Sequence, residues 1–150
     1  MKARVIALLM AIAIPAFAQN PYPVVTGKAY KFEKITDGVY YATATGSMVT
    51  GSNNVLIVGD RDAMVVDTGT SPTAARAFIE DIKLITMKPV RYVVNTHFHY
   101  DHTDGNQAYA GKADILAHDY VKAAIQNLDV LHTEPFRTSQ LTNVPNRIDA

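Results

Sequence analysis

The sequence has no cysteine, which excludes disulfides, thiolate zinc sites and a lipidated N-terminal cysteine. It has no excess of charge, since 14 Lys and Arg balance 14 Asp and Glu. Nothing electrostatic therefore draws it to nucleic acid or to an anionic membrane. No internal repeat or low-complexity tract interrupts it. It also lacks an apolar run long enough to span a bilayer comfortably. The run from Val5 to Ile14 follows the basic Met1-Lys2-Ala3-Arg4 and precedes Pro15 and the small-x-small triplet Ala16-Phe17-Ala18. Those three parts are a signal peptide over residues 1–18. The expectation is a mature chain starting at Gln19, periplasmic or secreted, with no membrane contact after cleavage.

What is present suits one small α/β domain with enough apolar content for a core: 150 residues, 48% of them hydrophobic. Residues 19–28 read as an extended lead-in. Ala29 to Thr36 and Val39 to Thr45 read as strands joined by a tight turn at Asp37-Gly38. Gly46 to Asn54 is a loop with Met48 near its tip. Val55 to Val58 and Ala63 to Val66 are further strands around the turn Gly59-Asp60-Arg61-Asp62. Pro72 to Thr86 is an amphipathic helix with Ala75, Phe78, Ile79, Ile82 and Ile85 on one face, stopped by Pro89. Val90 to Val94 is a buried strand, which completes a β-helix-β unit. A short helix over Thr103 to Ala110, a strand over Ala113 to Ala117 and a helix from His118-Asp119 to about Leu128 follow. Residues 129–150 show no sustained periodicity and read as a loop or incomplete C-terminal segment.

The chemistry is concentrated at the end of the Val90–Val94 strand. There His97, His99, Asp101 and His102 form H-x-H-x-D-H within six positions. Residues i and i+2 of an extended segment share a face, so His97, His99 and Asp101 are expected to converge. A turn at Asp101-His102 brings in the fourth group. Neutral imidazoles and a carboxylate suit a borderline metal such as zinc. Earlier in the chain, Asp67-Thr68-Gly69 follows a strand. One D-T-G loop admits a dimeric aspartic protease as an alternative, but the helix after Ser71-Pro72 departs from the β structure such a protease continues with. His118 reads as a strand-end or helix-cap residue, and His132 as solvated.

Thr96 to Asn106, T-H-x-H-x-D-H-x-x-G-N, resembles the signature of the metallo-β-lactamase-fold hydrolases, and Asp67-Thr68-Gly69 resembles that family's I/V-D-T/S-G element. The resemblance covers roughly residues 30–128. It implies a domain of 29–128 that is the first half of an αβ/βα sandwich. His97 and His99 would bind a first metal, Asp101 and His102 a second, with Asp101 also orienting the attacking hydroxide. Asp67 would support the site from behind, and Met48 would offer substrate an apolar contact from its loop. The histidine at 102 is closer to the hydroxyacyl-hydrolase and B3-type patterns than to B1, and His99 departs from the flavodiiron branch.

The implied activity is zinc-dependent hydrolysis of a small-molecule ester, thioester, lactam or related bond by a metal-held hydroxide, with two zinc ions; iron is the alternative metal. Family members also supply a third histidine for the first metal, a bridging aspartate and a final histidine. After Asp119 only Asp129, His132 and Asp149 are available, none in a G-H-T-x-G-type context. The expectation is therefore a truncated, inactive form of an exported hydrolase. A catalytically silent metal- or partner-binding fragment is the alternative. A bare sheet face, with Phe32, Tyr40, Val55, Ile57 and Val65 as its candidate lining, is expected to drive self-association.

Overall fold

The structure, a computed structural model, describes residues 22–126. The expected signal peptide, the first three residues of the lead-in, His132 and the final segment lie outside the described residues. Among the described residues no helix is long and apolar enough to cross a membrane.

The strands β1 (Val24–Thr26), β2 (Tyr30–Thr36), β3 (Val39–Ala44), β4 (Asn54–Val58), β5 (Ala63–Val66), β6 (Val90–Val94) and β7 (Asp114–Leu116) form one sheet in chain order. The first five are antiparallel neighbours; β5, β6 and β7 are parallel. Part of the lead-in is thus a strand, because Val24 to Thr26 completes the edge beside β2. At the β2–β3 turn Gly38 takes φ +75°, and a Cβ there would sit 2.6 Å from the Val58 carbonyl oxygen, so only glycine fits.

The parallel half requires a crossover, and helix α1 (Pro72–Ile82) supplies it. Its start is local chemistry: Ser71 is extended at φ −162°, and its hydroxyl accepts from the Ala74 N–H at 3.1 Å. Pro72 suits the first turn. The helix ends at Ile82, short of the expected Thr86. The next turn tightens to three-residue spacing, with Leu84 and Ile85 N–H donating to the carbonyls of Asp81 and Ile82. Ile85 still packs on the core.

The helical pattern meets the sheet on one face. Phe78 packs edge-on to Tyr30 at 4.8 Å and against Phe32 at 5.5 Å between ring centroids. Ala42, Leu56, Val65 and Val93 complete that core, all with no exposed area. Asp81, also on α1, is buried and accepts from the N–H groups of Lys28, Ala29 and Tyr30 at 3.0, 2.8 and 2.9 Å. That carboxylate ties the helix to the start of β2.

The register places the opposite face differently from the expectation. Phe32, Tyr40 and Val65 point to the α1 side, with Phe32 pairing Ala42, Tyr40 pairing Leu56 and Leu56 pairing Val65. Val55 and Ile57 do lie on the other face. They belong to two rows, Tyr41–Val55–Val66–Val94–Leu116 and Val39–Ile57–Met64–Tyr92–Asp114. The error is one of parity: side-chain direction alternates along each strand, so a wrong phase moves a residue through the sheet. Within these two rows every residue but Asp114 is aliphatic, aromatic or methionine.

Candidate active site

Strand β6 ends at Val94, and the metal motif begins in the loop beyond it. The extended run expected through Asp101 is cut short. Tyr100 starts the one-turn helix α2 (Tyr100–Thr103), which leads into the 3-10 helix α3 (Asp104–Ala108). The final described helix, α4 (Asp119–Ile125), is capped by His118, whose Nδ1 accepts from the Tyr120 N–H at 3.1 Å. His118 is therefore the cap expected of it.

The loop and one-turn helix still gather the histidines. The His97 ring lies 4.6 Å from His99 and 4.0 Å from His102, centroid to centroid. Burial first, and then the His102 and His99 imidazoles, hold the His97 pKa below its ordinary value. A proton there would share a crowded space with two neighbouring rings, so the neutral, lone-pair-bearing form is favoured. Thr96 Oγ1 meets His97 Nδ1 at 2.9 Å.

Asp67 stands behind this cluster. It is 5% exposed and takes φ +59°, the one described non-glycine residue in the left-handed region. Its backbone N–H continues the sheet to the Val94 carbonyl at 2.8 Å. Its carboxylate accepts from the Thr96 N–H and hydroxyl, each at 2.8 Å, and meets His102 Nδ1 at 2.7 Å. An ionised carboxylate only accepts, so Nδ1 carries a proton, and in the neutral ring Nε2 is the nitrogen with the lone pair.

That lone pair faces Asp101, with Nε2 3.3 Å from Oδ2. Two acceptors this close repel unless a cation or proton lies between them. The spacing also matches the edge of a tetrahedral metal site, about 3.3 Å for bonds of about 2.0–2.1 Å. The donor pair His102 and Asp101 therefore fits a metal in chemistry and in spacing. Among the described residues, however, no group of three or more His, Asp or Glu side chains is arranged to hold one ion. The three histidine rings cluster, and the donor atoms seen in contact are His102 Nε2 and Asp101 Oδ2.

Met48 is half-buried and packs on the hydrophobic core, while Val49 beside it is 81% exposed. The loop reaches the site through other residues. The Ser52 hydroxyl donates to the Asp101 carbonyl, and Thr70 N–H donates to the Thr50 carbonyl at 3.1 Å. Sequence reading passed over Thr96, Asn95 and Asn106. Their proximity to the motif was visible, but their partners are up to 38 residues away in the chain.

A mixed sheet that delivers clustered imidazoles and a carboxylate to its strand ends defines an α/β protein with its polar site at those ends. The family model described as the Metallo-beta-lactamase superfamily matches residues 48–126. The chain belongs to the metallo-β-lactamase superfamily, a hydrolase family whose members usually bind metal ions.

It is 36% identical over 93 residues to the 2,4-dinitroanisole O-demethylase subunit alpha of Nocardioides sp. (strain JS1661), covering 61% of this chain and 25% of that protein. It is 31% identical over 83 residues to a probable metallo-hydrolase of Methanocaldococcus jannaschii, covering 54% of this chain and 35% of the relative. The crystal structure of the metallo-β-lactamase FIM-1 from Pseudomonas aeruginosa, in its mono-zinc form, superposes with a TM-score of 0.56 at 27% identity. That match covers 66% of this chain and 46% of FIM-1. The chain thus spans a quarter to just over a third of those curated relatives, and under half of FIM-1. The seven-stranded sheet and its helices fit the first half of the αβ/βα sandwich.

Proposed function

We propose that the chain is the metal-binding half of an exported zinc hydrolase acting on an ester, thioester, lactam or related bond of a small molecule. The observation that carries it is the line Asp67–His102–Asp101, with contacts of 2.7 and 3.3 Å. His97 and His99 would hold one zinc, and Asp101 and His102 the other. Bound zinc would supply a nucleophile from water near neutral pH and polarise the bond to be cleaved.

The residues of this chain do the preparatory work. Asp67 fixes the His102 tautomer, so its free nitrogen faces the site. Burial, together with the neighbouring His102 and His99 rings, favours the neutral form of His97, whose lone pair can bind a cation. Asp101, held through its carbonyl by Ser52, presents its carboxylate to the same space.

Two donors per metal are fewer than the three that a catalytic zinc site normally takes from protein. Residues 1–150 alone are therefore proposed to be inactive, with the further ligands supplied by a continuation of the chain. The run Met1 to Ala18 supports export to the periplasm or outside. Iron in place of zinc is the alternative metal, and a silent metal- or partner-binding protein the alternative role. A protease through Asp67 is disfavoured because its carboxylate is already engaged by Thr96 and His102.

Elemental analysis and turnover of the whole gene product test the proposal. Zinc at about two equivalents with hydrolysis of one bond class supports it. Metal without turnover supports the silent metal-binding reading, and absence of metal overturns the zinc-hydrolase reading and leaves only the partner-binding role.

A further inference from the structure

His102 is held at two places, its ring and its main chain, and only the ring contact enters the function proposed above. Its carbonyl oxygen accepts from the Thr68 N–H at 2.9 Å, from Asn95 Nδ2 at 3.1 Å, and lies 3.1 Å from the Thr68 hydroxyl. Behind it the amides of Asn95 and Asn106 pair reciprocally. Asn106 Nδ2 donates to Asn95 Oδ1 at 2.8 Å, and Asn95 Nδ2 donates back to Asn106 Oδ1 at 3.1 Å. The Thr68 hydroxyl also reaches Asn106 Oδ1 at 3.0 Å. It has one proton, so it serves either that oxygen or the His102 carbonyl at a given moment.

These side chains are buried: Asn95 is 3%, Asn106 2% and Thr68 1% exposed. Taking two amides out of water is costly unless both are satisfied. The cluster joins three separate segments, namely the end of β6, the Asp67-Thr68-Gly69 loop and the α3 turn. The approach is close. A Cβ at Gly105 would sit 2.1 Å from the Thr68 carbonyl oxygen, and the Gly105 N–H donates to the Gly69 carbonyl at 3.2 Å.

We propose that Asn95 and Asn106 are positioning residues of the metal site, whose reciprocal amide pair, with Thr68, pins the His102 main chain so that its imidazole stays between Asp67 and Asp101. The proposal rests on the reading of His102 as a metal ligand. The physical argument is leverage. A ring held only by one hydrogen bond at Nδ1 can swing about χ1 and χ2 whenever its backbone shifts. Fixing the carbonyl removes that shift, and fixing Nδ1 removes the swing. Neither restraint suffices alone: Asp67 holds Nδ1, while Thr68 and Asn95, the latter from the end of β6 and backed by Asn106, hold the carbonyl.

The test uses the whole gene product, stripped of metal and labelled with 15N-histidine. A ring proton held on a buried carboxylate exchanges slowly with water, so His102 Nδ1–H is expected to give a resolved, protected signal. Asn95→Ala is expected to speed its exchange at least about tenfold, and to lower zinc affinity roughly 10–100-fold in chelator competition. Ile82→Ala, a loss of core packing at the far end of α1, is expected to leave both unchanged. If Asn95→Ala does not fold, Asn106→Ser and Thr68→Val are measured in the same way. An unprotected His102 ring proton in the wild type overturns the proposal. So does unchanged exchange in the folded variants, or an equal change in Ile82→Ala. Wild-type protein that takes up no zinc defeats the metal reading instead, and the exchange rates then still decide whether the amide pair holds the ring.

Discussion

His102 Nδ1 lies 2.7 Å from Asp67 Oδ2, across 35 residues of chain. The contact joins the two motifs that the sequence shows separately, and it sets which imidazole nitrogen is left for a metal. Replacing Asp67 by Asn keeps the shape but weakens the hold on Nδ1. Zinc affinity is expected to fall roughly 10–100-fold. Asp67→Ala should lose as much and also fold less stably, by about 1–2 kcal/mol, because alanine tolerates φ +59° worse than Asn or Asp. Equal stability of the two variants in urea would show that the backbone there is not strained.

His97→Ala together with His99→Ala should strip most of the bound metal from the whole protein while leaving its fold intact, since both rings sit in the loop beyond β6. Zinc contents that match between wild type and double variant, measured by elemental analysis, would move the site elsewhere.

The Asp81 carboxylate gathers three backbone N–H groups from Lys28 to Tyr30. Asp81→Ala leaves the Ala29 and Tyr30 N–H groups buried without an acceptor, and the loss should be on the order of 3 kcal/mol. Gly27→Ala is expected to act on the same joint, since a Cβ there would lie 2.3 Å from the Asp81 carboxyl carbon. Urea midpoints within experimental error of wild type for both variants would contradict this.

The buried Tyr109 hydroxyl has no hydrogen-bond partner among the described residues. Tyr109→Phe should therefore leave stability unchanged or raise it by up to about 1 kcal/mol. At Tyr30, burial first and the Asp81 charge second push the phenol up to about 12 from 10.0. Its folded pKa is the higher one, so its contribution is complete below about pH 10. It is lost as pH rises towards about 12. Tyr30→Phe should flatten the alkaline loss of stability in that window, and a loss of equal steepness in the variant would assign it to other groups.

The apolar rows through Val55, Ile57, Met64, Val66, Tyr92 and Val94 cross five strands. Residues 1–150 produced alone should self-associate through them. Ile57→Lys with Val66→Lys should shift light-scattering mass towards monomer. A wild-type fragment that stays monomeric as it is concentrated would exclude the face as a contact surface.

Much of this was legible in the chain. Strand alternation, the Ser71-Pro72 helix start and the Asp37-Gly38 turn depend on neighbours a few residues apart, and the elements lie within a few residues of their expected places. The histidine motif was equally local, and so was its family. The phase of the outer strands was less legible. Phe32 and Val65 are as apolar as Val55 and Ile57, and nothing within a strand says which side α1 will cover.

The sequence by itself therefore determined which residue types cluster after β6 and which chemistry they permit, because donor identity and spacing are properties of the chain. Only the tertiary structure decided how that chemistry is aimed. The His102 tautomer comes from Asp67, its main-chain anchor from Asn95, Asn106 and Thr68, and its distance to Asp101 from a one-turn helix that replaced the expected strand. Those partners are separated by up to 38 residues. They meet because parallel pairing of β5 and β6 lays Val66 beside Val94, which carries the Asp67 loop and the histidine loop to the same end of the sheet.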